Sequence, residues 1–171
     1  MSAVAPEFSR LIPLSRVEPR PLRREIAATE SERAALARRF DLVALDRLEA
    51  AVELVRRADE EIVLHAAFAA DFVQSCIVTL DPVGGTLSAS FVLRYGAPEA
   101  EAAETDPQED WVYEPLVGEA IDIGEAVAQE FSLALPPFPR SPEAGLDAAS
   151  EPPGDGGPFA VLSSPGEPEQ R

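Results

Sequence analysis

The chain has 171 residues, of which 46% are hydrophobic, and its 14 basic and 31 acidic residues give a formal net charge of −17. This length predicts one domain with tails, because a domain typically takes roughly 100–200 residues. The single Cys excludes an internal disulfide and a Cys-based zinc site. The first residues lack a secretory signal pattern, and no apolar stretch reaches the ~18 residues of a membrane span. We therefore expect a soluble, acidic, intracellular protein.

Charge is distributed unevenly along the chain. All 14 basic residues are Arg, and 11 of them fall within residues 1–60 together with 11 acids. Residues 61–171 hold 3 Arg and 20 acids, so the whole negative excess lies there. Such asymmetry is typical of a surface with two different partners or with one bipolar partner.

Two stretches of biased composition divide the chain. Residues 141–171 are rich in Pro and Gly and offer little apolar surface to offset the entropy of ordering, which predicts a disordered tail. Residues 97–110 hold six acids in 14 positions and predict a solvated acidic loop. We thus expect a flexible N-terminus (1–7), one domain (8–140) that contains the acidic loop, and the tail.

The first third of the chain predicts two strands and a helix. Loose alternation over Phe8–Val17 indicates a short edge strand that tolerates Pro13, and Leu22–Ala28 forms a second strand. Thr29 and Glu32 have the spacing of a capping box and begin a helix over residues 30–40. Its apolar side consists of Ala34, Leu36, Ala37 and Phe40.

The middle of the chain predicts a long β-hairpin. Alternation over residues 45–55 indicates a strand, although the same residues also fit a helical period. Apolar residues at period two make 62–72 the clearest strand, and we extend it through Gln74–Leu80. A turn at Asp81–Gly85 then leads back along Thr86–Tyr95. Consecutive hairpins indicate an antiparallel sheet.

The last predicted elements are a short strand at Trp111–Tyr113 and a second helix. Asp122 caps this helix of about 12 residues, and Pro136 and Pro137 stop it. Its apolar face consists of Ile123, Val127, Phe131 and Ala134. The fold class is therefore α+β: a single domain with a mainly antiparallel β-sheet, two packed helices, an acidic loop and a disordered C-terminal tail.

Catalytic patterns are sparse. His65 and Cys76 are the only residues of their kinds, and their odd separation places them on opposite faces of one strand unless a bulge intervenes. Asp122 and Glu125 form a carboxylate pair for which helix capping is the simpler explanation. The chain lacks GxGxxG, GxxxxGK[ST], GxSxG and HExxH patterns. We predict a protein that is not an enzyme and uses no cofactor and no metal; an enzyme that depends on Cys76 is the alternative.

The arginines supply the candidate RNA contacts. Three clusters would suit bidentate phosphate contacts if they converged on one face. Their members are Arg20, Arg23, Arg24, Arg38, Arg39, Arg56 and Arg57. Interleaved acids leave a mixed solvated surface as the alternative, and the net charge argues against sequence-independent binding. The acidic loop would suit a very basic protein partner.

Two separated stretches resemble a known family. Residues 74–83 (QSCIVTLDPV) resemble the Q-[TS]-C-[VI]-V-T-L-[ED]-P-V signature of the YceD-like large ribosomal RNA subunit accumulation proteins in their alphaproteobacterial form. Residues 114–140 resemble the family's E-P-[LI]…[IV]-D-[LI]-G-E…L-x-P-[YF]-P-R element, and the resemblance covers about residues 8–142. We assign structural roles to the motif residues Gln74, Cys76, Thr79, Leu80, Pro82, Asp122, Gly124, Glu125, Pro139 and Arg140. Among them we expect a small buried hydrophobe in Cys76, a strand residue in Thr79 and the turn former in Pro82.

The resemblance implies a non-catalytic ribosome biogenesis factor of the bacterial cytoplasm. Such a factor supports accumulation of 23S ribosomal RNA and assembly of the large ribosomal subunit. Its partners would be precursor RNA, a basic ribosomal protein, or both, with no membrane and no small-molecule substrate. The alternative is an acidic adapter that holds a basic ribosomal protein without touching RNA.

Overall fold

The computed structural model describes residues 6–58, 60–96 and 112–144. Within them, residues up to Ser141 belong to one compact unit. The predicted acidic loop, residues 1–5 of the predicted N-terminus, Trp111 and residues 145–171 of the predicted tail lie outside the described residues. The elements are β1 (Leu11–Pro13), β2 (Leu22–Ala27), α1 (Glu30–Arg39), β3 (Ala44–Arg56), β4 (Ile62–Ser75), β5 (Pro82–Gly96), β6 (Val112–Pro115), β7 (Ala120–Asp122) and α2 (Ile123–Ala134).

The fold is α+β, as predicted, and its main sheet has the strand order β2-β3-β4-β5-β6. Neighbouring strands are antiparallel except for β6, which runs parallel to β5. A second, two-stranded sheet pairs β1 with β7. The helical alternative for residues 45–55 is wrong, because those residues lie within β3.

Alternation along the long strands places the core on one face of the main sheet. Alternate residues of β3 and β4 are buried on this inner face, whereas side chains on the outer face, such as His65 and Ala67, are exposed. Helix α2 lays the fully buried ring of Phe131 on the inner face, with centroid distances of 6.3 Å to Phe68 and 5.9 Å to Phe72. These edge-on contacts join the second helix to the middle of the sheet.

Both predicted helix starts are confirmed. Thr29 and Glu32 form the capping box of α1, and the carboxylate of Asp122 accepts hydrogen bonds from the backbone N–H groups of Gly124 and Glu125 at 3.1 and 3.2 Å. The predicted apolar side of α1 is wrong at Ala34, which is exposed. Only Leu36 and Ala37 of α1 are buried, because this helix presents a narrow stripe to the core, and Phe40 at its end is half-buried.

The turn of the long hairpin begins earlier than predicted. β4 ends at Ser75, which pairs with Pro82 at the start of β5, so the turn is Cys76–Asp81. The predicted strand over Gln74–Leu80 is therefore wrong beyond Ser75, and the predicted turn at Asp81–Gly85 is wrong as well. Gly85 lies inside β5, where a Cβ atom would collide with the ring of Phe72.

The N-terminal segment is strand-like over only part of the predicted range. β1 covers three residues, and one turn of 3-10 helix follows at Leu14–Arg16. Before β1, Phe8 is fully buried and its backbone passes close to Gly124, where a Cβ atom would collide with the Phe8 carbonyl oxygen. Ser9 donates a hydrogen bond to the carboxylate of Asp122 at 2.5 Å. Gly124 and Asp122 thus fasten this segment to the start of α2.

Candidate functional site

The main sheet has two ends with different side chains. We call the segments Leu14–Arg20 and Arg56–Glu61 the arginine end, and the segments Cys76–Asp81 and Pro136–Ser141 the motif end. Strand β4 connects the two ends through its 14 residues, about 46 Å of extended chain. No side chain of one end therefore reaches the other.

The turn at the motif end is closed by its own backbone. The N–H of Cys76 donates to the carbonyl of Asp81 at 2.8 Å, and the N–H of Leu80 donates to the carbonyl of Cys76 at 3.0 Å. Leu80 has a φ of +63°, in the left-handed region that a bulky residue rarely adopts. The turn therefore holds Leu80 in a backbone conformation that Gly or Asn would adopt at lower cost.

The thiol of Cys76 is the centre of this end. It is fully buried, and its Sγ accepts hydrogen bonds from the backbone N–H groups of Ser141 at 3.3 Å and of Val78 and Thr79 at 3.4 Å. These donors, that of Ser141 foremost and then those of Thr79, lower the pKa of the thiol to about 6 because they stabilise the thiolate. The predicted burial of Cys76 is confirmed, but the sulfur also organises the turn as an acceptor.

Two further roles predicted for the motif residues are wrong. Thr79 is a turn residue, and its hydroxyl accepts a hydrogen bond from the N–H of Asp81 at 3.4 Å. Pro82 is the first residue of a strand, where its missing N–H removes no hydrogen bond within the ladder. The N–H groups of Val78, Thr79 and Asp81 bond to the Cys76 sulfur and the Thr79 hydroxyl instead of a neighbouring strand. The sequence predicted a strand here because the side chains of the turn are of types common in strands.

The two sequence motifs meet at the motif end. The N–H of Ile77 donates to the carbonyl of Pro139 at 2.9 Å, and the side-chain amide of Gln74 donates to the carbonyl of Pro136 at 3.1 Å. With the bond from Ser141 to the Cys76 sulfur, three contacts join the hairpin turn to the segment after α2. Residues more than 60 positions apart in sequence thus form one surface.

The surface of the motif end is apolar. Leu80 and Phe138 are 77% and 73% exposed, and Ile77 and Val78 are about half exposed. Two more exposed apolar side chains adjoin this end: Val43, whose N–H bonds to Val73 near the end of β4, and Leu133 near the end of α2. Six of the eight exposed large hydrophobic side chains of the described residues therefore lie at or beside the motif end.

The arginine end is held together by Arg56. Its guanidinium donates to the carbonyl of Val17 at 2.9 Å and to that of Leu14 at 2.7 Å, and it pairs with Glu60 at 2.9 Å. Arg20 and Arg57 are exposed beside it, and within the described part of the chain neither has a carboxylate in salt-bridge range. Arg16, which sequence reasoning left out, lies in the segment that Arg56 clamps.

The three predicted arginine clusters do not converge. Arg38 and Arg39 end α1 just before β3 begins, whereas Arg56 is the last residue of β3. The 13 residues of β3 span about 40 Å. Arg39 makes a bidentate pair with Glu125 at 2.7 and 2.9 Å and also contacts Glu7 at 3.0 Å. These hydrogen bonds, those to Glu125 foremost, raise the pKa of the Arg39 guanidinium and tie α1 to α2.

Arg23 and Arg24 lie between these clusters, on the edge strand β2. Arg23 pairs with Glu53 at 2.6 Å, and Arg24 donates to the carbonyl of Arg23 at 2.8 Å. Of the seven predicted RNA contacts, the structure therefore brings together Arg20, Arg56 and Arg57, with Arg23 and Arg24 further along β2.

The structure separates the two residues of the predicted Cys-dependent alternative. His65 is exposed on the outer face near the start of β4, and Cys76 is buried just beyond its end, roughly 36 Å of strand away. In the part of the chain that the structure describes, no group of His, Cys, Asp or Glu side chains is placed to hold a metal ion. None of the described helices is long and apolar enough to cross a membrane.

The molecule is thus a single-domain α+β protein in which two separated sequence motifs meet at one end of a mainly antiparallel sheet. The family model of the large ribosomal RNA subunit accumulation protein YceD matches residues 64–160, and the chain belongs to this family. The match includes the long hairpin and both motifs, but it begins later and ends later than the predicted range of 8–142. The alphaproteobacterial type stays a prediction.

The family name suggests a role in the accumulation of large-subunit ribosomal RNA. No curated protein and no solved structure matches the chain significantly.

Proposed function

We propose that this protein is a non-catalytic assembly factor of the large ribosomal subunit, which supports the accumulation of 23S ribosomal RNA in the bacterial cytoplasm. The observation that carries this proposal is the family match over residues 64–160. The distance between His65 and Cys76 supports a role without catalysis, because a Cys–His pair requires contact between the two side chains.

The distribution of charge supports a direct contact with precursor RNA at the arginine end. The described residues hold 13 Arg and 19 acids, a net charge of −6, so most of the total of −17 lies outside them. The arginine end itself contains four Arg and three acids among its described residues. Arg20 and Arg57 point into solvent there, and exposed guanidinium groups suit phosphate contacts.

Sedimentation of the tagged protein in a sucrose gradient of its own cell lysate tests this proposal. We expect the protein to migrate with large-subunit precursors and to be released by RNase. Migration only in the free fractions, together with unchanged precursor RNA after depletion, would overturn the proposed function.

A matched pair of double variants tests the RNA contact. Replacing Arg20→Gln and Arg57→Gln changes the net charge by −2, and replacing Ser88→Glu and Ser90→Glu changes it equally on the exposed outer face of β5. We expect the arginine variant to bind RNA more weakly, and the binding that remains should depend less on salt concentration, because phosphate contacts release counterions. Equal losses in both variants would show a net-charge effect and contradict a local RNA contact.

The second candidate function is the adapter that holds a basic ribosomal protein without touching RNA. The apolar motif end favours it, because aliphatic side chains do not recognise phosphates. RNase separates the two candidates: an adapter keeps its protein partner after RNA is digested, whereas a protein that binds only through RNA loses it.

A further inference from the structure

At the arginine end, Arg56 fixes the segment that carries Arg16. The Arg56 guanidinium donates to the carbonyls of Leu14 and Val17, one on each side of Arg16 in the chain. The backbone N–H of Arg56 also donates to the carbonyl of Glu18 at 3.0 Å. Because all three carbonyls belong to one short stretch, a single residue holds this stretch against the end of β3.

The backbone around Arg16 is fixed from within the segment as well. The N–H of Val17 donates to the carbonyl of Leu14 at 3.1 Å, and the N–H of Leu14 donates to the carbonyl of Glu119 at 2.9 Å. Val17 is 2% exposed, whereas Arg16 is exposed. The chain on both sides of Arg16 is therefore held in place while its side chain faces solvent.

Arg57 follows Arg56 directly and leaves a second fixed piece of backbone. Its N–H donates to the carbonyl of Glu61 at 2.7 Å, and its own carbonyl accepts from the N–H of Glu60 at 3.1 Å, so the turn is closed by backbone bonds. The contacts of Arg56 thus bring two exposed arginines to the same end of the sheet, although they lie far apart in sequence.

The exposed charge of this end is mainly positive. Its three exposed arginines have no carboxylate in salt-bridge range within the described part of the chain: Arg16, Arg20 and Arg57. Among the acids described there, Glu60 pairs with Arg56 at 2.9 Å. Glu61 lies 3.9 Å from Arg94. Three guanidinium groups therefore face solvent against the one remaining described carboxylate, that of Glu18, and such a surface attracts phosphate.

We propose that Arg16 is a third phosphate contact of the arginine end, beside Arg20 and Arg57, and that Arg56 is the positioning residue of this contact. The inference rests on the proposed function, and it names the residues through which the arginine end holds RNA. Arg56 itself bonds to two carbonyls and a carboxylate, so it acts through the segment that it fixes. A segment fixed in advance loses less entropy when RNA binds.

A matched pair of single variants of the full-length chain tests the contact by Arg16. Arg16→Gln and Arg38→Gln each remove one exposed guanidinium, but Arg38 lies at the end of α1, away from the arginine end. The probe is 23S RNA from purified large ribosomal subunits, titrated at several salt concentrations.

We expect Arg16→Gln to bind this RNA about fivefold more weakly and to reduce the slope of log affinity against log salt by about 0.7–0.9, since one phosphate contact is lost. Arg38→Gln should change neither quantity. Equal effects in the two variants would overturn the contact by Arg16.

Double variants test the positioning role of Arg56. In the Arg56→Gln background the segment is no longer held, so adding Arg16→Gln should have little further effect on RNA binding. Adding Arg57→Gln should keep its full effect, because the turn of Arg57 has its own backbone bonds. A general loss of stability would diminish both effects alike. That outcome, or a full effect of Arg16→Gln in this background, would overturn the positioning role.

Two controls keep the test decisive. Circular dichroism checks that each variant is folded at the temperature of the titration, and Arg56→Lys replaces Arg56→Gln if the latter is not, since Lys keeps the charge but lacks the planar fork. If the unaltered chain comigrates with precursors and binds RNA while Arg16→Gln equals Arg38→Gln, only this inference is overturned. If the chain neither comigrates nor binds 23S RNA, the proposed function fails and the inference fails with it.

Discussion

The arginine end and the motif end are anchored through opposite kinds of backbone group, carbonyls at the first and N–H groups at the second. At the arginine end the guanidinium of Arg56 donates to two backbone carbonyls, whereas at the motif end the sulfur of Cys76 accepts from three backbone N–H groups. At each end, one side chain forms hydrogen bonds with backbone groups of an irregular segment that have no partner in a neighbouring strand. Arg56 is half-buried and Cys76 is fully buried. At each end, the anchoring residue and the exposed residues therefore have separate tasks, so they can be altered separately.

The largest loss of stability is expected at Phe131, a residue that belongs to neither end. Phe131→Ala removes the ring that packs on Phe40, Phe68 and Phe72, and we expect a loss of about 3–5 kcal/mol in the free energy of unfolding. Urea unfolding measures this loss of stability. Both ends should lose their binding function together, because they share this core.

The same substitution at the exposed ring, Phe138→Ala, is the matched control. Its free energy of unfolding should stay within about 0.5 kcal/mol of the unaltered chain. Equal losses at the two positions would mean that the motif end is part of the core, and the separation of scaffold and surface would be wrong.

The next largest effect is expected at the anchor of the arginine end. Arg56→Gln leaves the carbonyls of Val17 and Leu14 without their charged donor and should cost about 1–3 kcal/mol. Arg57→Gln removes the neighbouring exposed guanidinium and should change stability by less than about 0.5 kcal/mol. Denaturant unfolding compares the two variants, and a costly Arg57→Gln would contradict the division into anchor and exposed residue.

The stability that Cys76 contributes as the anchor of the motif end should depend on pH. Since the pKa of the Cys76 thiol is lowered to about 6 from a usual value of 9.0, the folded state binds fewer protons than the unfolded state between these values. The contribution of the thiolate is therefore complete above about pH 9 and is lost as the pH falls towards 6. We expect the stability of the unaltered chain to rise over this range.

Cys76→Ser and Cys76→Ala separate the two properties of the sulfur, its ionisation and its capacity to accept hydrogen bonds. Both variants should lack the rise in stability, because neither side chain ionises there. Cys76→Ala should be the less stable of the two, since it offers no acceptor to the N–H groups of Val78, Thr79 and Ser141. A rise in stability that persists in Cys76→Ser would assign it to another group.

The smallest effect on stability is expected at the exposed side chain of the motif end. Leu80→Asn should leave the free energy of unfolding unchanged or increase it by up to about 1 kcal/mol, because Asn tolerates the left-handed region better than Leu. Thermal unfolding measures the change. A loss of more than about 1 kcal/mol would mean that Leu80 packs within the fold instead of facing solvent.

Local patterns predicted much of this fold. The capping residues Thr29 and Asp122 were predicted correctly because a cap involves only the next three residues. The strands β3 and β4 were predicted because their alternation extends over more than ten residues. The pairing of β1 with β7 and the parallel position of β6 were not predicted, since no local pattern shows which distant strand a short segment joins.

The candidate site was predictable only in part. The two motifs, and the burial of Cys76, were recognised from the sequence. Their meeting was not, because it depends on backbone bonds such as that from Ser141 to the Cys76 sulfur, across 65 positions. The aliphatic residues Ile77, Val78 and Leu80 looked like a strand, because exposed side chains in a closed turn have no sequence pattern of their own.

The amino-acid sequence alone therefore predicts the α+β class, the helix boundaries, the alternating strands and the family. These features depend on neighbouring residues and on the burial of one face. Tertiary contacts were needed to show which arginines anchor the chain and which face solvent, and that the two motifs form one apolar surface. Such outcomes depend on contacts between segments far apart in the chain, where a guanidinium or a thiol finds the particular backbone groups that the fold leaves unpaired.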